Sequence, residues 1–189
     1  MDEQALIATA RAGNPDAFNV LVRNYQDMAY NVAYRVLGHV DAAADATQDA
    51  FLAAYRALPA FRGGSFKSWL LRIVTNSCYD QLRLKKRRPQ TSLEEMVEDA
   101  DYAPFMIDES QDPEEAILRR DLAHALEAGI SKLPSDQRVV LVLSDVQGLS
   151  YDEIVVITGA SLGTVKSRLS RARARMRDYV TRGAEPWAS

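Results

Sequence analysis

The strongest constraint on this chain is a stretch near its C-terminal end, SYDEIVVITGASLGTVKSRLSRARARMR at positions 150–177. Ser150 followed three residues later by Glu153 is a capping box: the serine oxygen takes a first-turn amide and the glutamate reaches back to the cap. A helix is therefore predicted to start there, with Ile154 and Ile157 on one side. Thr158, Gly159 and Ala160 form a turn, and Ser161 is placed to cap a second helix. On that helix Leu162, Val165, Leu169 and Met176 form an apolar stripe, and Lys166, Arg168, Arg171, Arg173, Arg175 and Arg177 supply positive charge around the rest. Two capped helices about a glycine turn, the second basic, make a helix-turn-helix suited to a DNA major groove. A charge run alone reads more simply as a solvated helix face. The two caps and the glycine turn, taken together, outweigh that reading.

A net charge of −3 over 189 residues argues at first against a nucleic-acid partner. The average conceals a segregation. Positions 89–118 hold ten acidic residues and no Lys or Arg, and without those ten charges the rest of the chain stands at +7. Two basic flanks are separated by an acidic middle. The single cysteine, Cys78, excludes an intrachain disulfide and favours a cytoplasmic setting. The opening MDEQALIATARAGN is too acidic and too polar for a signal or transit peptide. No apolar run approaches the roughly 20 residues of a membrane span, so no membrane insertion is expected.

Taken in order, the chain predicts helices almost throughout. A short one covers 2–12 and closes at Gly13, and Asn14 with Pro15 then gives a cap and a first-position proline. Phe18, Leu21, Val22, Tyr25, Ala29, Val32, Ala33 and Val36 recur three and four apart until Gly38. Residues 41–58 form an alanine-faced helix (Ala46, Ala50, Ala54, Ala57) stopped by Pro59. A loop, Phe61-Arg62-Gly63-Gly64-Ser65-Phe66, leads into a helix carrying Trp69, Leu70, Ile73, Val74, Cys78 and Leu82. This helix ends in the basic run RLKKRR, 83–88. Cations complement a helix C-terminus, but five in six residues exceed that need and point to phosphate binding.

Residues 89–115 are acidic, contain Pro104 and Pro113, and lack periodicity, as a linker does. Ser92 with Glu95 is a possible cap inside it, and Tyr102, Phe105, Met106 and Ile107 are candidate docking residues. Helical patterning resumes at Ala116 and breaks at Pro134. The run VVLVL, 139–143, looks locally like a strand, but Val139, Val142, Leu143 and Val146 keep one helical face, Ser135 is placed to cap it and Gly148 ends it. The fold class expected is all-α: two small helical bundles, 1–88 and 116–182, joined by the acidic linker, with 183–189 frayed.

With these pieces in place the chain resembles the extracytoplasmic-function (ECF) sigma factors, the small promoter-recognition subunits of bacterial RNA polymerase. Three stretches carry the resemblance: DATQDAFLAAYRAL (45–58), FRGGSFKSWLLRIVTNSCYDQLR (61–83) and LPSDQRVVLVLSDVQGLSYDEIVVITGASLGTVKSRLSRARARM (133–176). The resemblance implies roles for particular residues. Asp45, Gln48, Asp49, Phe51 and Tyr55 match the helix that docks on the clamp coiled coil of core RNA polymerase, with Phe51 and Tyr55 equally readable as core. Arg62, Gly63, Gly64, Ser65 and Phe66 match the loop that captures a flipped base of the minus-ten element. Lys67, Trp69, Arg72 and Asn76, followed by Arg83, Lys85 and Lys86, match the helix that holds the opened strand, where Trp69 is equally readable as core. Lys166, Ser167, Ser170 and Arg171 match positions facing bases of the minus-thirty-five element, Arg171 first among them because arginine to guanine is the commonest specific contact. Thr164, Arg168 and Arg173 then serve phosphates or helix packing.

Two features depart from the family pattern. Ala42, Ala43 and Ala44 stand where acidic residues often precede the docking motif, and the Gly63-Gly64-Ser65 loop is short. The implied partners are core RNA polymerase, promoter DNA and an anti-sigma factor, with no cofactor and no metal. A stand-alone helix-turn-helix regulator is the alternative. An enzyme is not expected: His39, His124 and Cys78 share no ligand spacing, and no glycine-rich phosphate loop follows a strand.

Overall fold

A computed structural model describes residues 2–87 and 113–181. Its elements are α1 (Glu3–Arg11), α2 (Pro15–Leu37), α3 (Val40–Ala57), a 3₁₀ turn (Leu58–Ala60), α4 (Phe66–Arg87), α5 (Pro113–Lys132), α6 (Ser135–Leu141), a π-helical turn (Val142–Val146), α7 (Tyr151–Thr158) and α8 (Leu162–Thr181). No strand occurs among the described residues, so the all-α expectation holds. The chain divides into two compact units, one mainly residues 2–87 and the other mainly 113–181.

In the first unit α2, α3 and α4 pack against one another and α1 lies on α2. The start and stop of α2 are those its residues dictate. The Asn14 carboxamide oxygen accepts the amides of Asp16 (2.9 Å) and Ala17 (3.1 Å), and Gly38 ends the helix in the left-handed region at φ 69°. Leu21, Ala29, Val32 and Val36 of α2 meet a face of α3 made of Ala43, Ala46, Ala50 and Ala54, all wholly buried. Small side chains let the helix axes approach closely. Ala57, expected on that face, is exposed; the chain tightens into the 3₁₀ turn at this point and Leu58 is buried in its stead. Helix α4 contributes Leu70, Leu71, Val74 and Cys78. From α1, Leu6, Ile7 and Ala10 are buried, and Tyr25 Oη of α2 donates to Glu3 Oε2 at 2.6 Å.

The second unit rests on α5, α6 and α8. Helix α5 begins at Pro113, three residues ahead of the expected start, with proline at a helix N-terminus where its missing N–H costs nothing. The rest of the expected linker, and its Ser92, Tyr102, Phe105, Met106 and Ile107, lie outside the described residues, as does the tail from 182. Val139 to Leu143 are helical as expected, yet not through a single apolar face: Val139, Val140, Leu141, Val142 and Leu143 are all buried. A helix apolar on all sides is one surrounded by its own core. Val146, expected on the buried face, is 40% exposed, because the helix widens into a π turn in which the amide of Gln147 bonds back five residues to the Val142 carbonyl at 3.0 Å. Ser135 is not a cap. It is the first helical residue after Pro134, and Asp136 Oδ1 takes the Gln137 amide at 3.0 Å. Gly129 of α5 lies against α8, where an added Cβ would stand 2.9 Å from Met176 Cε and 3.0 Å from Tyr179 Cδ1.

Candidate nucleic-acid interface

The local chemistry of 150–177 builds the helix pair that the sequence predicts. Ser150 Oγ accepts the Glu153 amide at 3.3 Å, and Glu153 Oε2 accepts the Ser150 amide at 2.9 Å, closing the capping box. Gly159 turns the chain at φ 68°. Ser161 Oγ accepts the Thr164 amide at 3.2 Å and lies 2.9 Å from Thr164 Oγ1. The Thr164 hydroxyl is thus engaged in the cap of α8.

Along α8, Val165, Leu169, Ala172 and Tyr179 are buried, whereas Lys166, Ser167, Ser170 and Arg171 are exposed. At about 100° per residue these four fall on the side of the helix away from the buried stripe. Their exposed face is polar and cationic, with a hydroxyl pair between two long donors. The Ser167 hydroxyl donates to the Thr164 carbonyl at 3.0 Å, which leaves its oxygen as an acceptor. Arg168 and Arg173 behave differently. Arg168 Nε lies 3.0 Å from Asp136 Oδ2. Arg173 forms a two-pronged fork on Asp145, Nε to Oδ2 at 2.9 Å and Nη2 to Oδ1 at 2.6 Å. The hydrogen bonds from Arg173 hold the Asp145 carboxyl below the usual carboxylate range, and Asp145, with a lesser part from Tyr151, raises the guanidinium further above its ordinary value. Both guanidiniums sit on carboxylates of the segment packed against α8. Arg138, half-buried in α6, donates to the carbonyls of Ser131 (2.5 Å) and Leu133 (2.8 Å) at the end of α5.

In the first unit Arg62, Gly63, Gly64 and Ser65 of the loop are exposed. Gly63 and Gly64 have φ of 93° and 90°, and nothing lies within 4 Å of a Cβ built on either, so glycine is required there by backbone conformation and not by crowding. Phe66, by contrast, is buried: its ring is 1% exposed and meets Tyr25 (5.3 Å), Phe61 (5.9 Å) and Trp69 (5.3 Å between centroids), so it anchors the loop from inside. Trp69 is half-buried on Phe61 and Phe66. Ser65 has a role that was not foreseen: its Oγ accepts the Ser68 amide at 3.1 Å and so caps α4. The signal was the Ser65 hydroxyl three residues ahead of that amide at the start of an apolar run. Trp69, Arg72, Asn76 and Arg83 share one side of α4, with Arg72, Asn76, Arg83, Lys85 and Lys86 exposed and Lys67 half-buried. Arg83 pairs with Asp80 at 2.9 Å, both about 70% exposed, an interaction weak enough for a phosphate to displace.

On α3, Asp45, Gln48, Asp49 and Tyr55 are exposed along one face opposite the alanines, and Phe51 is half-buried beside it. The Tyr55 ring leans on Phe18 at 4.9 Å while staying 45% exposed. Leu52, 50% exposed, sits within the same acidic and aromatic stripe. Its spacing of three and four from Asp49, Gln48 and Tyr55 was the available signal.

Two helical units, one with a glycine loop before a basic helix and the other with a helix-turn-helix, define a sigma-70-type protein. Residues 21–88 match the family Sigma-70 region 2, and residues 123–176 match Sigma-70, region 4. The chain is 37% identical over 175 residues to the ECF RNA polymerase sigma factor SigE of Mycolicibacterium smegmatis, covering 93% of this chain and 66% of that relative. It is 36% identical over 182 residues to the ECF RNA polymerase sigma-E factor of Escherichia coli K12, covering 95% of each. The solved structure of the sigma factor RpoE in complex with the anti-sigma factor NepR from Bartonella quintana superposes with a TM-score of 0.64 at 26% identity, covering 87% of this chain and 96% of that one. This chain belongs to the ECF sigma factors of RNA polymerase. It is a transcription initiation factor, and no described helix is long and apolar enough to cross a membrane.

Proposed function

We propose that this sigma factor grips promoter DNA in two places. The unit built on α5–α8, taken as 116–182, reads the minus-thirty-five element as duplex through Lys166, Ser167, Ser170 and Arg171. The unit 1–88 captures the opened minus-ten strand with Arg62, Gly63, Gly64, Ser65, Lys67, Trp69, Arg72, Asn76, Arg83, Lys85 and Lys86. Opening a base step costs a few kcal/mol, which stacking on a half-exposed aromatic and contacts between backbone phosphates and cations offset. Asp45, Gln48, Asp49, Leu52 and Tyr55 dock on core polymerase. Residues 89–115 tether the two units. The chain works in the cytoplasm without catalysis of its own, and an anti-sigma factor holds it in check; the Bartonella protein is solved in complex with the anti-sigma factor NepR.

The observation that carries this reading is the division of α8 into a buried stripe and an opposed exposed face bearing Lys166, Ser167, Ser170 and Arg171. Promoter-selected transcription with purified core polymerase tests it. The full chain is expected to direct initiation from promoters sharing a minus-thirty-five element, and Arg171→Ala to lower that initiation about tenfold or more through loss of one base contact. Tight binding of a duplex operator by the protein alone, with no stimulation of core polymerase, would refute the proposal.

A further inference from the structure

Two carboxylates outside the DNA-facing surface hold α8 from both sides. Val165, Leu169 and Ala172 define its buried stripe. Measured from Val165 at about 100° per residue, Arg168 lies about 60° to one side of that stripe and Arg173 about 80° to the other. Each is paired with an acid on the neighbouring helical segment: Arg168 with Asp136 at 3.0 Å, and Arg173 with Asp145 through the fork at 2.6 and 2.9 Å. The pairs therefore straddle the stripe.

The second acid stands in the π turn. Asp136 and Asp145 are nine positions apart. In an unbroken α-helix nine steps of about 100° place two side chains on opposite sides. Asp145 lies inside the π turn at Val142–Val146, whose wider path turns each residue by less than an α-helical step, and it meets the same helix that Asp136 meets.

An apolar stripe seats a helix but resists its rolling only weakly, since aliphatic contacts have no direction. A guanidinium fork on a carboxylate is directional. Ion pairs open to solvent contribute little to stability, so stability is not the property that these two explain best. Base reading tolerates errors of only about 0.5 Å or 10–20° in the reading side chains. We infer that Asp136 and Asp145 are positioning residues: through Arg168 and Arg173 they fix the roll of α8 and thereby decide which bases Lys166, Ser170 and Arg171 meet. The inference rests on the reading of α8 as the minus-thirty-five helix.

The test uses the full chain with core polymerase on a promoter library randomised at the minus-thirty-five element. Asp145→Asn, nearly isosteric, is expected to flatten the base preference and to lower transcription from the preferred element about tenfold. It should leave initiation from a template already opened at minus ten, with no minus-thirty-five element, unchanged. Asp145→Arg combined with Arg173→Asp is expected to restore the preference by rebuilding the pair in reverse. The opposite charge logic gives a distinct result. If Arg173 met phosphate in the complex, Asp145→Asn would release its charge, strengthen binding and steepen the dependence of log affinity on log salt by about one. That outcome, or failure of the reversed pair to restore preference, overturns the positioning role. An unchanged preference in Asp145→Asn beside a loss in Arg171→Ala overturns the clamp alone. No change in either variant overturns the reading of α8 and the clamp with it.

Discussion

Replacing Phe66 separates two roles that one ring cannot have at once. The ring is 1% exposed and has three aromatic neighbours, Tyr25, Phe61 and Trp69, with centroids 5.3, 5.9 and 5.3 Å away. Truncating a buried phenylalanine to alanine costs about 3–5 kcal/mol, the upper part of which reflects the cavity left when neighbours relax only partly. That range already contains the lost aromatic contacts, each worth roughly 0.5–1.5 kcal/mol at its best geometry. For Phe66→Ala about 4 kcal/mol is expected, a large share of the roughly 4–13 kcal/mol that a unit of this size holds. Phe66→Leu refills much of the volume and should cost about 1–2 kcal/mol, or about 4–16 °C in melting temperature at 4–8 °C per kcal/mol. The assay is urea unfolding followed by tryptophan fluorescence. Of the two tryptophans, Trp69 touches the ring, and Trp187 is replaced by phenylalanine so that Trp69 reports alone. A base-capturing ring at the surface gives the contrary result: stability within about 0.5 kcal/mol of the parent, with strand opening lost. That outcome would refute the burial argument.

Other outcomes follow from single contacts. Ser150→Ala removes the hydroxyl that accepts the Glu153 amide and should cost the second unit about 1 kcal/mol, read as a lowered melting temperature by circular dichroism, with no effect on the first. Gly129→Val drives branched carbons into Met176 and Tyr179 and is expected to destabilise by about 2 kcal/mol in denaturant unfolding, despite the better helix propensity of valine. Burial pushes the Cys78 thiol up to about 12. In the folded protein it should resist an aromatic disulfide reagent at pH 8 and react only at the rate of unfolding. Its folded pKa lies above the ordinary value near 8.5, so its contribution to stability is full below that pH and is lost as pH rises towards 12.

How far the sequence could be read depended on whether the deciding interaction was local. Asn14, Gly38, Ser150 with Glu153, and Ser161 mark helix boundaries through groups within a few residues of each other, and each does in the structure what its chemistry requires. The exposure of Lys166, Ser167, Ser170 and Arg171 was legible for the same reason, since helical period alone opposes them to Val165 and Leu169. The burial of Phe66 was not legible, because a loop position says nothing about three rings converging from α2, the loop and α4. Arg168 and Arg173 could not be told from phosphate contacts, because their acids lie 32 and 28 positions earlier in the chain.

The sequence by itself determined which residues are helical, where most helices start and stop, and which face of each is polar, because backbone capping and a fixed period act within a turn or two. Only the tertiary structure decided that Arg168 and Arg173 of α8 are paired with acids of the fold. That pairing rests on the segment that sets Asp136 and, in its π turn, Asp145 against α8, and a charge is neutralised by what lies beside it in space, whatever the distance along the chain.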